Sequence, residues 1–329
     1  MKAVLCRAFG PPETLAVETV DPPAPGPGEV RIAVAAVGVN FPDLLLIEGK
    51  YQIKPPFPFS PGLECAGVVA ECGPGVEGPA PGTRVMAFLS HGGMAEQVVV
   101  PATCVFPIPD AMPFDVAAAF PVVYGTSYHA LASRGALARG ETLLVLGASG
   151  GVGLSAVEIG KRLGATVIAA AGSDEKLALA ARHGADHLVN YRSEDLRERV
   201  KALTEGRGAD VIYDPVGGDL FDASMRCIAW NGRLLVVGFA SGRIAEARTN
   251  IILLKEISVV GVAWGAFAHR DSAANRANFA ELLGWHGAGA LQPLISRRLP
   301  LADAPAALEA FQSRSVVGKQ VLTVAQPGG

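Results

Sequence analysis

A glycine-rich loop between two apolar segments is the part of this sequence with the clearest chemical meaning. Residues 143–146 are apolar, residues 147–153 read Gly-Ala-Ser-Gly-Gly-Val-Gly, and residues 154–163 have helical patterning. A strand, a tight glycine turn and a helix in this order bring backbone N–H groups close to the diphosphate of a dinucleotide. The helix N-terminus adds the positive end of its dipole. The predicted phosphate-binding residues are Ser149, Gly150, Gly151, Val152 and Gly153.

The loop departs from the usual glycine spacing of such sites. The pattern G-x-G-x-x-G has Ala148 in its first glycine position, so the loop reads A-x-G-x-x-G. A glycine loop alone is also typical of a purely structural strand-to-helix turn. The flanking segments favour the dinucleotide interpretation, because they continue as a βαβ pattern.

The residues after the next apolar segment indicate which dinucleotide binds. A domain that prefers NAD has an acidic residue about 20 residues after the glycines, where it binds the ribose 2′-hydroxyl. Gly172 and Ser173 occupy that region, and Lys176 follows them. The 2′-phosphate of NADPH would fit here, because Gly172 leaves space, Ser173 supplies a hydroxyl and Lys176 supplies a cation. Asp174 argues against NADPH, because a small shift of the chain would bring its carboxylate to the ribose 2′-hydroxyl of NAD. We interpret Asp174 instead as a first-turn acid that is favoured by the helix dipole.

The elements that must position these residues change in character along the chain. Short Val- and Ile-rich segments dominate to about residue 118 and predict a small β-barrel or sandwich. From residue 121 to about 262, apolar strands alternate with helical patterns and predict a parallel sheet. The remaining tail is too short for a domain, so we expect it to complete the first one. Strands are predicted at 29–38, 65–71, 84–88, 95–100, 142–146, 166–170, 209–213, 234–237, 257–262 and 320–324, and helices at 152–163, 174–182 and 275–283.

The composition argues against several functional classes. The 329 residues carry a formal net charge of -3 and have no basic stripe, so no nucleic-acid partner is expected. The 5 cysteines are scattered without a CxxC pair, which argues against a disulfide framework and an all-cysteine zinc site. The longest apolar stretch contains Pro121 and Gly125 and is a poor membrane span. The apolar stretch at residues 3–6 is too short for a signal peptide, so a cytoplasmic location is expected.

Five short motifs carry a family resemblance that covers essentially the whole chain. They lie at 38–43 (Gly-Val-Asn-Phe-Pro-Asp), 49–51 (Gly-Lys-Tyr), 61–67 (Pro-Gly-Leu-Glu-Cys-Ala-Gly), 92–96 (Gly-Gly-Met-Ala-Glu) and 148–153. The sequence resembles the medium-chain dehydrogenase/reductase superfamily, and within it the zinc-independent quinone oxidoreductase, or zeta-crystallin-like, family. The resemblance implies a GroES-like β-barrel catalytic domain over 1–120 and 264–329. It also implies a doubly wound parallel-sheet (Rossmann) dinucleotide-binding domain over 121–263.

The positions that bind zinc in the alcohol dehydrogenases of this superfamily are different here. The resemblance places Asn40, Leu63 and Val122 where those enzymes have a cysteine, a histidine and a third ligand. Leucine and valine have no lone pair for a metal, and an amide is a poor zinc ligand. We therefore expect no metal. Without zinc to polarise an alcohol, the expected reaction is reduction of an electron-poor acceptor.

Three residues are the candidates for catalysis. The resemblance places Tyr51 at an active-site tyrosine, whose phenol would donate to the oxygen of the acceptor, although a ring that only packs at the barrel rim is the alternative. The Asn40 amide would bind the nicotinamide or the substrate carbonyl, or else stabilise a turn. Asp43 is a catalytic candidate and equally a helix cap. Glu64 is expected to be structural.

Further residues are expected around the cofactor. The loops at 237–242 and 262–265 follow the carboxyl ends of predicted strands, where open α/β sheets bind ligands. The resemblance implies that both loops line the cofactor, that a threonine lies beside the nicotinamide and that a tyrosine closes over the 2′-phosphate. The residues assigned to the cofactor in this way are Asn40, Thr126, Tyr191, Phe239, Ser241, Trp264 and Lys319. An ordinary core aromatic is the alternative for Trp264.

The sequence thus predicts an NADPH-dependent, zinc-free reductase of quinones, with enones or 2-alkenals as related substrates. An enoyl-thioester reductase is an alternative, because Lys50 and Lys54 flank Tyr51 and suit a phosphate-bearing carrier. A non-enzymatic NADPH-binding structural protein is the alternative of another class. The apolar segment 256–262 is expected at the sheet edge, where unpaired backbone groups would join a second copy into a homodimer.

Overall fold

The computed structural model describes residues 1–324, and the chain divides into two compact units. The first unit contains Met1–Val122, Asp271–Phe279 and the chain from Pro293 onwards, and the second contains Val123–Arg270 and Ala280–Gln292. Segments 264–270 and 280–292 thus belong to the second unit, whereas the sequence analysis assigns them to the first domain. Residues 325–329 of that predicted domain lie outside the described residues.

Strands and helices take up most of both units. The strands are β1 (Lys2–Leu5), β2 (Ala16–Thr19), β3 (Glu29–Val39), β4 (Glu64–Cys72), β5 (Arg84–Phe88), β6 (Gln97–Pro101), β7 (Val105–Pro107), β8 (Thr142–Leu146), β9 (Thr166–Ala171), β10 (His187–Asn190), β11 (Ala209–Asp214), β12 (Ile228–Val236), β13 (Ser258–Gly261), β14 (Ile295–Pro300) and β15 (Lys319–Thr323). The α-helices are α1 (Phe41–Ile47), α2 (Phe114–Ala118), α3 (Pro121–Tyr128), α4 (Gly151–Leu163), α5 (Asp174–Arg182), α6 (Leu196–Leu203), α7 (Gly218–Cys227), α8 (Thr249–Lys255), α9 (Trp264–Arg270), α10 (Ser272–Gly287) and α11 (Ala304–Gln312). A π-helical segment, His129–Arg134, continues α3.

The first unit is organised around β3. This strand pairs antiparallel with β4, with β6 and with β15, and the full strand order is β14-β15-β3-β4-β5-β7. Alternate residues of β3 face the core, and Val30, Ile32 and Val34 are almost completely buried. Pairing with β15 means that the end of the chain completes this sheet, as the sequence analysis expects of the tail.

The second unit is a parallel sheet whose strands follow the order β10-β9-β8-β11-β12-β13. Every residue of β8 is buried, which agrees with the apolar segment that predicts this strand. The order reverses direction between β8 and β11, so this is a doubly wound sheet, and the expected fold class is confirmed for this unit. In such sheets ligands bind outside the carboxyl ends of the strands, near the reversal.

The helices of the described residues are all too short or too polar to cross a lipid bilayer.

Candidate functional site

The glycine loop lies at the carboxyl end of β8, where the strand order reverses. Gly147 has φ +58, a backbone conformation that favours glycine, and Gly150 is the N-cap of α4. A Cβ on Gly153 would collide with the carbonyl oxygen of Gly147 and would lie 2.8 Å from the Cα of Ala148. Because Gly153 has no side chain, the first turn of α4 can pack directly against the loop. Ala148, in the first glycine position, is buried.

This local geometry has the donors that a dinucleotide phosphate needs. The first-turn N–H groups of a helix have no partner within the helix, and α4 is long enough to contribute a dipole. Gly151 and Val152 are half-buried in that turn, and Ser149 is almost completely buried. The structure therefore places Ser149 to Gly153 in one loop and helix N-terminus.

A second cluster forms where β9 and β10 end side by side. A Cβ on Gly172 would lie 3.2 Å from Nε of Arg192 and 3.3 Å from the hydroxyl oxygen of Tyr191. Ser173 is the N-cap of α5, and its hydroxyl accepts the backbone N–H of Lys176 at 3.4 Å. The structure thus brings together the predicted residues Gly172, Ser173, Lys176 and Tyr191. It adds Arg192, which the sequence analysis does not assign to the site.

The carboxylates near this cluster have partners of their own. The Asp174 carboxylate accepts the side-chain N–H of Asn190 at 2.8 Å, so it is tied to the end of β10. The backbone N–H of Glu175 and the Ser173 hydroxyl both donate to the Glu175 carboxylate, and these hydrogen bonds lower the pKa of that carboxyl. Asp174 is therefore held as a first-turn acid, as the sequence analysis interprets it. Glu175 is a further negative group beside the cluster.

The loops after β11 and β12 meet at the same edge of the sheet. Phe239 is 41% exposed, and its ring lies 3.2 Å from the point that a Cβ on Gly217 would occupy. The Ser241 hydroxyl accepts the backbone N–H of Arg243 at 3.3 Å and lies beside Gly218. Both predicted loop residues are therefore at the carboxyl edge of the sheet. A ligand there would meet the exposed face of Phe239.

Thr126 and Trp264 also lie in one region of the second unit. Trp264 is 4% exposed, and its indole packs against Gly125, where a Cβ would lie 2.5 Å from the ring. Thr126 is the next residue of α3 and is half-buried. Burial against Gly125 fits the alternative that Trp264 is a core aromatic. It also means that the indole fixes the backbone beside Thr126.

Buried hydroxyl groups attach α3 to the glycine-loop helix. The hydroxyl of Ser127 is 2.9 Å from that of Ser155 in α4 and 2.9 Å from that of Tyr213 in β11. Ser155 also donates to the carbonyl of Val123 at 3.0 Å. These bonds set the position of Thr126 relative to the loop.

In the first unit, Asn40 belongs to a buried polar network around Lys319. The ammonium of Lys319 donates to Glu64 Oε1 at 2.6 Å, to Asn40 Oδ1 at 2.6 Å and to the carbonyl of Val39 at 3.0 Å. The side chains of Lys319 and Glu64 are 4% and 0% exposed. All three ammonium protons of Lys319 are therefore used within the protein. In this structure the residue is part of the framework, and a contact with the cofactor would have to replace one of these bonds.

The Glu64 carboxylate is the centre of this network. Its Oε1 accepts the amide N–H of Asn40 at 2.8 Å, and its Oε2 accepts the backbone N–H of Val122 at 2.7 Å. A Cβ on Gly38 would collide with Glu64 Oε1, so the glycine makes room for the carboxylate. The network occupies the region of Asn40, Leu63 and Val122, the positions that the resemblance equates with zinc ligands.

Asp43 has a structural role at the start of α1. Its carboxylate accepts the N–H of Asn40 at 2.8 Å and that of Gly62 at 3.1 Å, so it caps the helix and joins it to the chain before β4. Complete burial raises the pKa of Asp43 to about 7, although both N–H bonds and Lys319 oppose that rise. This geometry supports the helix-cap alternative.

Tyr51 follows α1 and is half-buried, and its backbone N–H donates to the carbonyl of Leu45 at 3.1 Å. Burial, with the negative charge of Asp43, raises the pKa of its phenol. The hydroxyl is therefore protonated at neutral pH and remains a hydrogen-bond donor. Its hydroxyl, unlike the Asn40 amide, does not belong to the Lys319–Glu64 network.

The described residues contain no group of three His, Cys, Asp or Glu side chains that could hold a metal ion. Leu63 and Val122 are buried and present only hydrocarbon side chains at their positions.

Comparisons with known proteins place this architecture in a family. The alcohol dehydrogenase GroES-like domain family matches residues 26–110, and the zinc-binding dehydrogenase family matches residues 151–283. Quinone oxidoreductase-like protein 2 of Mus musculus is 39% identical over 98% of this chain and 92% of its own length. The chain belongs to the quinone oxidoreductase family. It is an oxidoreductase of the medium-chain dehydrogenase/reductase superfamily, and the GroES-like and Rossmann fold classes expected from the sequence are confirmed.

Solved structures in this family resemble the chain over its whole length. The quinone oxidoreductase of Escherichia coli, solved in complex with NADPH, is 30% identical with a TM-score of 0.92, covering 98% of this chain and 100% of that one. A mycobacterial protein, also complexed with NADPH, is 31% identical with a TM-score of 0.92 over 98% of this chain and 100% of that one.

The buried Lys319–Glu64 pair predicts how the loss of one partner changes the free energy of unfolding. Lys319→Met keeps much of the volume but leaves the Glu64 carboxylate buried without its cation. Loss of one partner of a buried pair costs about 3–5 kcal/mol, so we expect the free energy of unfolding in urea to fall by this amount. The exposed Lys54→Met control should change it by less than about 0.5 kcal/mol. Adding Glu64→Gln to Lys319→Met should restore part of the loss, and equal stability of Lys319→Met and Lys54→Met would contradict the network.

Proposed function

We propose that this member of the quinone oxidoreductase family is an NADPH-dependent, zinc-free reductase of quinones and related conjugated carbonyls. The observation that carries the cofactor choice is the cluster at the ends of β9 and β10. There, Arg192 and Tyr191 lie against Gly172, while the nearby Asp174 carboxylate is bonded to Asn190. The complexes of the Escherichia coli and mycobacterial relatives with NADPH support the same cofactor.

Each residue of this cluster has a definable part in holding a 2′-phosphate. The guanidinium of Arg192 and the ammonium of Lys176 supply positive charge, and the Tyr191 hydroxyl supplies a neutral donor. Gly172 leaves the space that a side chain would fill. The diphosphate would lie at the N-terminus of α4, where Gly153 lets the backbone approach closely.

The residues in the first unit support a reaction that uses no zinc. At the positions equivalent to zinc ligands, Leu63 and Val122 offer no donor, and the Asn40 amide is bonded to Glu64 and Lys319. The ammonium of Lys319 already supplies the positive charge that this buried carboxylate requires. The network therefore leaves neither ligands nor uncompensated negative charge for a divalent ion.

The reduction then requires little from the protein besides orientation and a proton. NADPH supplies a hydride, which adds to the electron-poor acceptor and moves an electron pair onto its carbonyl oxygen. A donor at that oxygen stabilises the growing negative charge. The Tyr51 phenol is our candidate, because its raised pKa keeps the proton in place until the oxygen becomes basic. Water then returns a proton to Tyr51.

The enoyl-thioester alternative depends on cations near Tyr51 that would meet the phosphates of a carrier. The Lys50 ammonium pairs with Glu48 at 2.9 Å, which removes part of its attraction for an anion. Lys54 remains exposed. The Lys50–Glu48 pair thus weakens this alternative.

We also propose that the chain forms a homodimer through the open edge of the parallel sheet. β13 is the last strand of the sheet order, and it is shorter than the predicted 256–262 segment. On the preceding α8, Leu253 and Leu254 are 77% and 76% exposed. An open strand edge beside two exposed leucines favours pairing with a second copy of the same surface.

The cofactor proposal predicts how two variants discriminate between nicotinamides. Lys176→Ala and Arg192→Ala each remove a charge-assisted bond to the 2′-phosphate, worth about 1.5–3 kcal/mol. We expect NADPH dissociation constants to rise by about ten- to a hundredfold while those for NADH stay nearly constant. Arg182→Ala, at the opposite end of α5, is the matched control. A wild-type preference for NADH, or equal losses for both nicotinamides, would refute the assignment.

The reaction proposal predicts a graded effect of Tyr51→Phe. An activated quinone needs little help, so kcat should fall by about tenfold or less, whereas an enone should lose about a hundredfold. Steady-state rates with a quinone, an enone and crotonyl-CoA test this directly. Activity should survive strong chelators, and elemental analysis should find no stoichiometric zinc. A strong preference for crotonyl-CoA would favour the thioester alternative, and NADPH binding without reduction of any acceptor would favour the non-enzymatic one.

The dimer proposal predicts the mass in solution. Light scattering at micromolar concentration should give twice the chain mass for the wild type, and Leu253→Asp with Leu254→Asp should shift it towards the monomer. Ile244→Asp, at a residue that is 71% exposed outside α8, is the control and should remain dimeric. A monomeric wild type would exclude the dimer.

A further inference from the structure

A cavity of about 360 Å³ lies in the second unit at the C-terminal end of α4, the end opposite the glycine loop. Its lining includes the side chains of Arg139, Lys161, Arg162 and His183, with Glu158 beneath them. With three permanent cations against one carboxylate, the lining has a net positive charge. None of these residues has a part in the proposed cofactor site.

Two of the cations lack a carboxylate partner within residues 1–324. Arg139 makes no hydrogen bond or ion pair there, and its guanidinium carbon lies 3.2 Å from the point that a Cβ on Gly164 would occupy. Arg162 lies over the ring of Trp285 at 5.4 Å and likewise pairs with no acid. Lys161, in contrast, pairs with Asp186 at 2.7 Å. Two guanidinium groups therefore remain available to an anion.

The single carboxylate in the lining is held by donors from three other segments. Glu158 accepts the Tyr124 hydroxyl at 2.7 Å, the backbone N–H of Gln292 at 3.2 Å and Nδ1 of His183 at 2.7 Å. Its side chain is 6% exposed. These bonds offset much of its repulsion towards an incoming anion, and they orient His183 at the edge of the cavity.

The helix dipole explains only part of this arrangement. Basic residues in the last turn of a helix are favoured by the negative end of the dipole, and this accounts for Lys161 and Arg162. It does not account for Arg139, which comes from the segment before β8 and is brought over the same helix end. Nor does it account for a cavity between these side chains.

We propose that this cavity binds a small organic polyanion that carries at least two phosphate or carboxylate groups. Ligand pockets usually measure about 300–1,000 Å³, so this one suits a small metabolite and is too small for a dinucleotide. The planar guanidinium groups of Arg139 and Arg162 match the paired oxygens of a phosphate or carboxylate. Each guanidinium group can take one anionic group, while Lys161 and His183 line the same cavity and already bond to Asp186 and Glu158.

Isothermal titration calorimetry at constant ionic strength tests the proposal, with pyrophosphate and citrate as probes. Saturating NADP⁺ is present throughout, because pyrophosphate also suits the glycine loop. We expect at least one probe to bind, and Arg139→Ala with Arg162→Ala to weaken binding by about tenfold or more. Both arginines are exposed, so the variant should fold, and its melting temperature checks this. Arg207→Ala, at another exposed position of the second unit, should leave the affinity unchanged.

The two probes distinguish the chemical source of the anion. Binding of pyrophosphate alone indicates a phosphate ester, and binding of citrate alone indicates a polycarboxylate. The proposal is wrong if neither probe binds at millimolar concentration, or if the double variant binds as the wild type does. It is equally wrong if titration without NADP⁺ gives a signal that NADP⁺ abolishes, because the probe then occupies the cofactor site. If the protein failed to reduce any acceptor with NADPH, the affinities for pyrophosphate and citrate would not change. The proposed reductase activity and the proposed anion site can therefore be refuted independently.

Discussion

The ion pair between Lys319 and Glu64 is the interaction on which the first unit depends. Two charges buried from water destabilise a protein unless every donor and acceptor is satisfied. Here the ammonium has three acceptors, and the carboxylate accepts from Lys319, Asn40 and the backbone of Val122. The pair thereby fixes the end of β3, the start of β4 and the chain that enters α3.

This network gives two of the candidate catalytic residues a structural role. Asn40 and Asp43 have the residue types that chemistry uses, yet their polar atoms hold Lys319, Glu64 and the start of α1. Their contribution is to place α1 and the segment that follows it, which carries Tyr51. A polar residue of a type that catalysis often uses can therefore have a structural role.

Short-range patterns made much of the fold predictable. The predicted segments 84–88, 142–146 and 174–182 coincide with β5, β8 and α5, because apolar periodicity and flanking glycines define them locally. β12 begins at Ile228, well before the predicted start at 234, since Asn231, with φ +58, and Gly232 interrupt the apolar pattern. No bounds could be given for β10 from the sequence, because a strand of four residues with two apolar side chains has too weak a pattern.

The sites were predictable where a motif is continuous in sequence. The glycine loop and the Gly172–Lys176 region follow from local spacing, and Arg192 could have been found as a cation beside Tyr191 at the end of a neighbouring strand. The role of Glu64 as the centre of a network could not be derived in this way. It becomes apparent only when β15 lies beside β3, because no local pattern joins residues that are 255 positions apart.

That separation has a consequence for how the protein is made. Residues 1–122 leave the ribosome long before β15 does, so Glu64 lacks the counter-ion Lys319 during most of synthesis. Domains generally fold from the N-terminus as they emerge, but contacts between distant parts of a chain form late. The sheet of the first unit is complete only when β15 has been synthesised. The strands of the parallel sheet in the second unit, β8 to β13, are all synthesised earlier. A chain that stops before Lys319 therefore leaves the buried Glu64 carboxylate without its counter-ion.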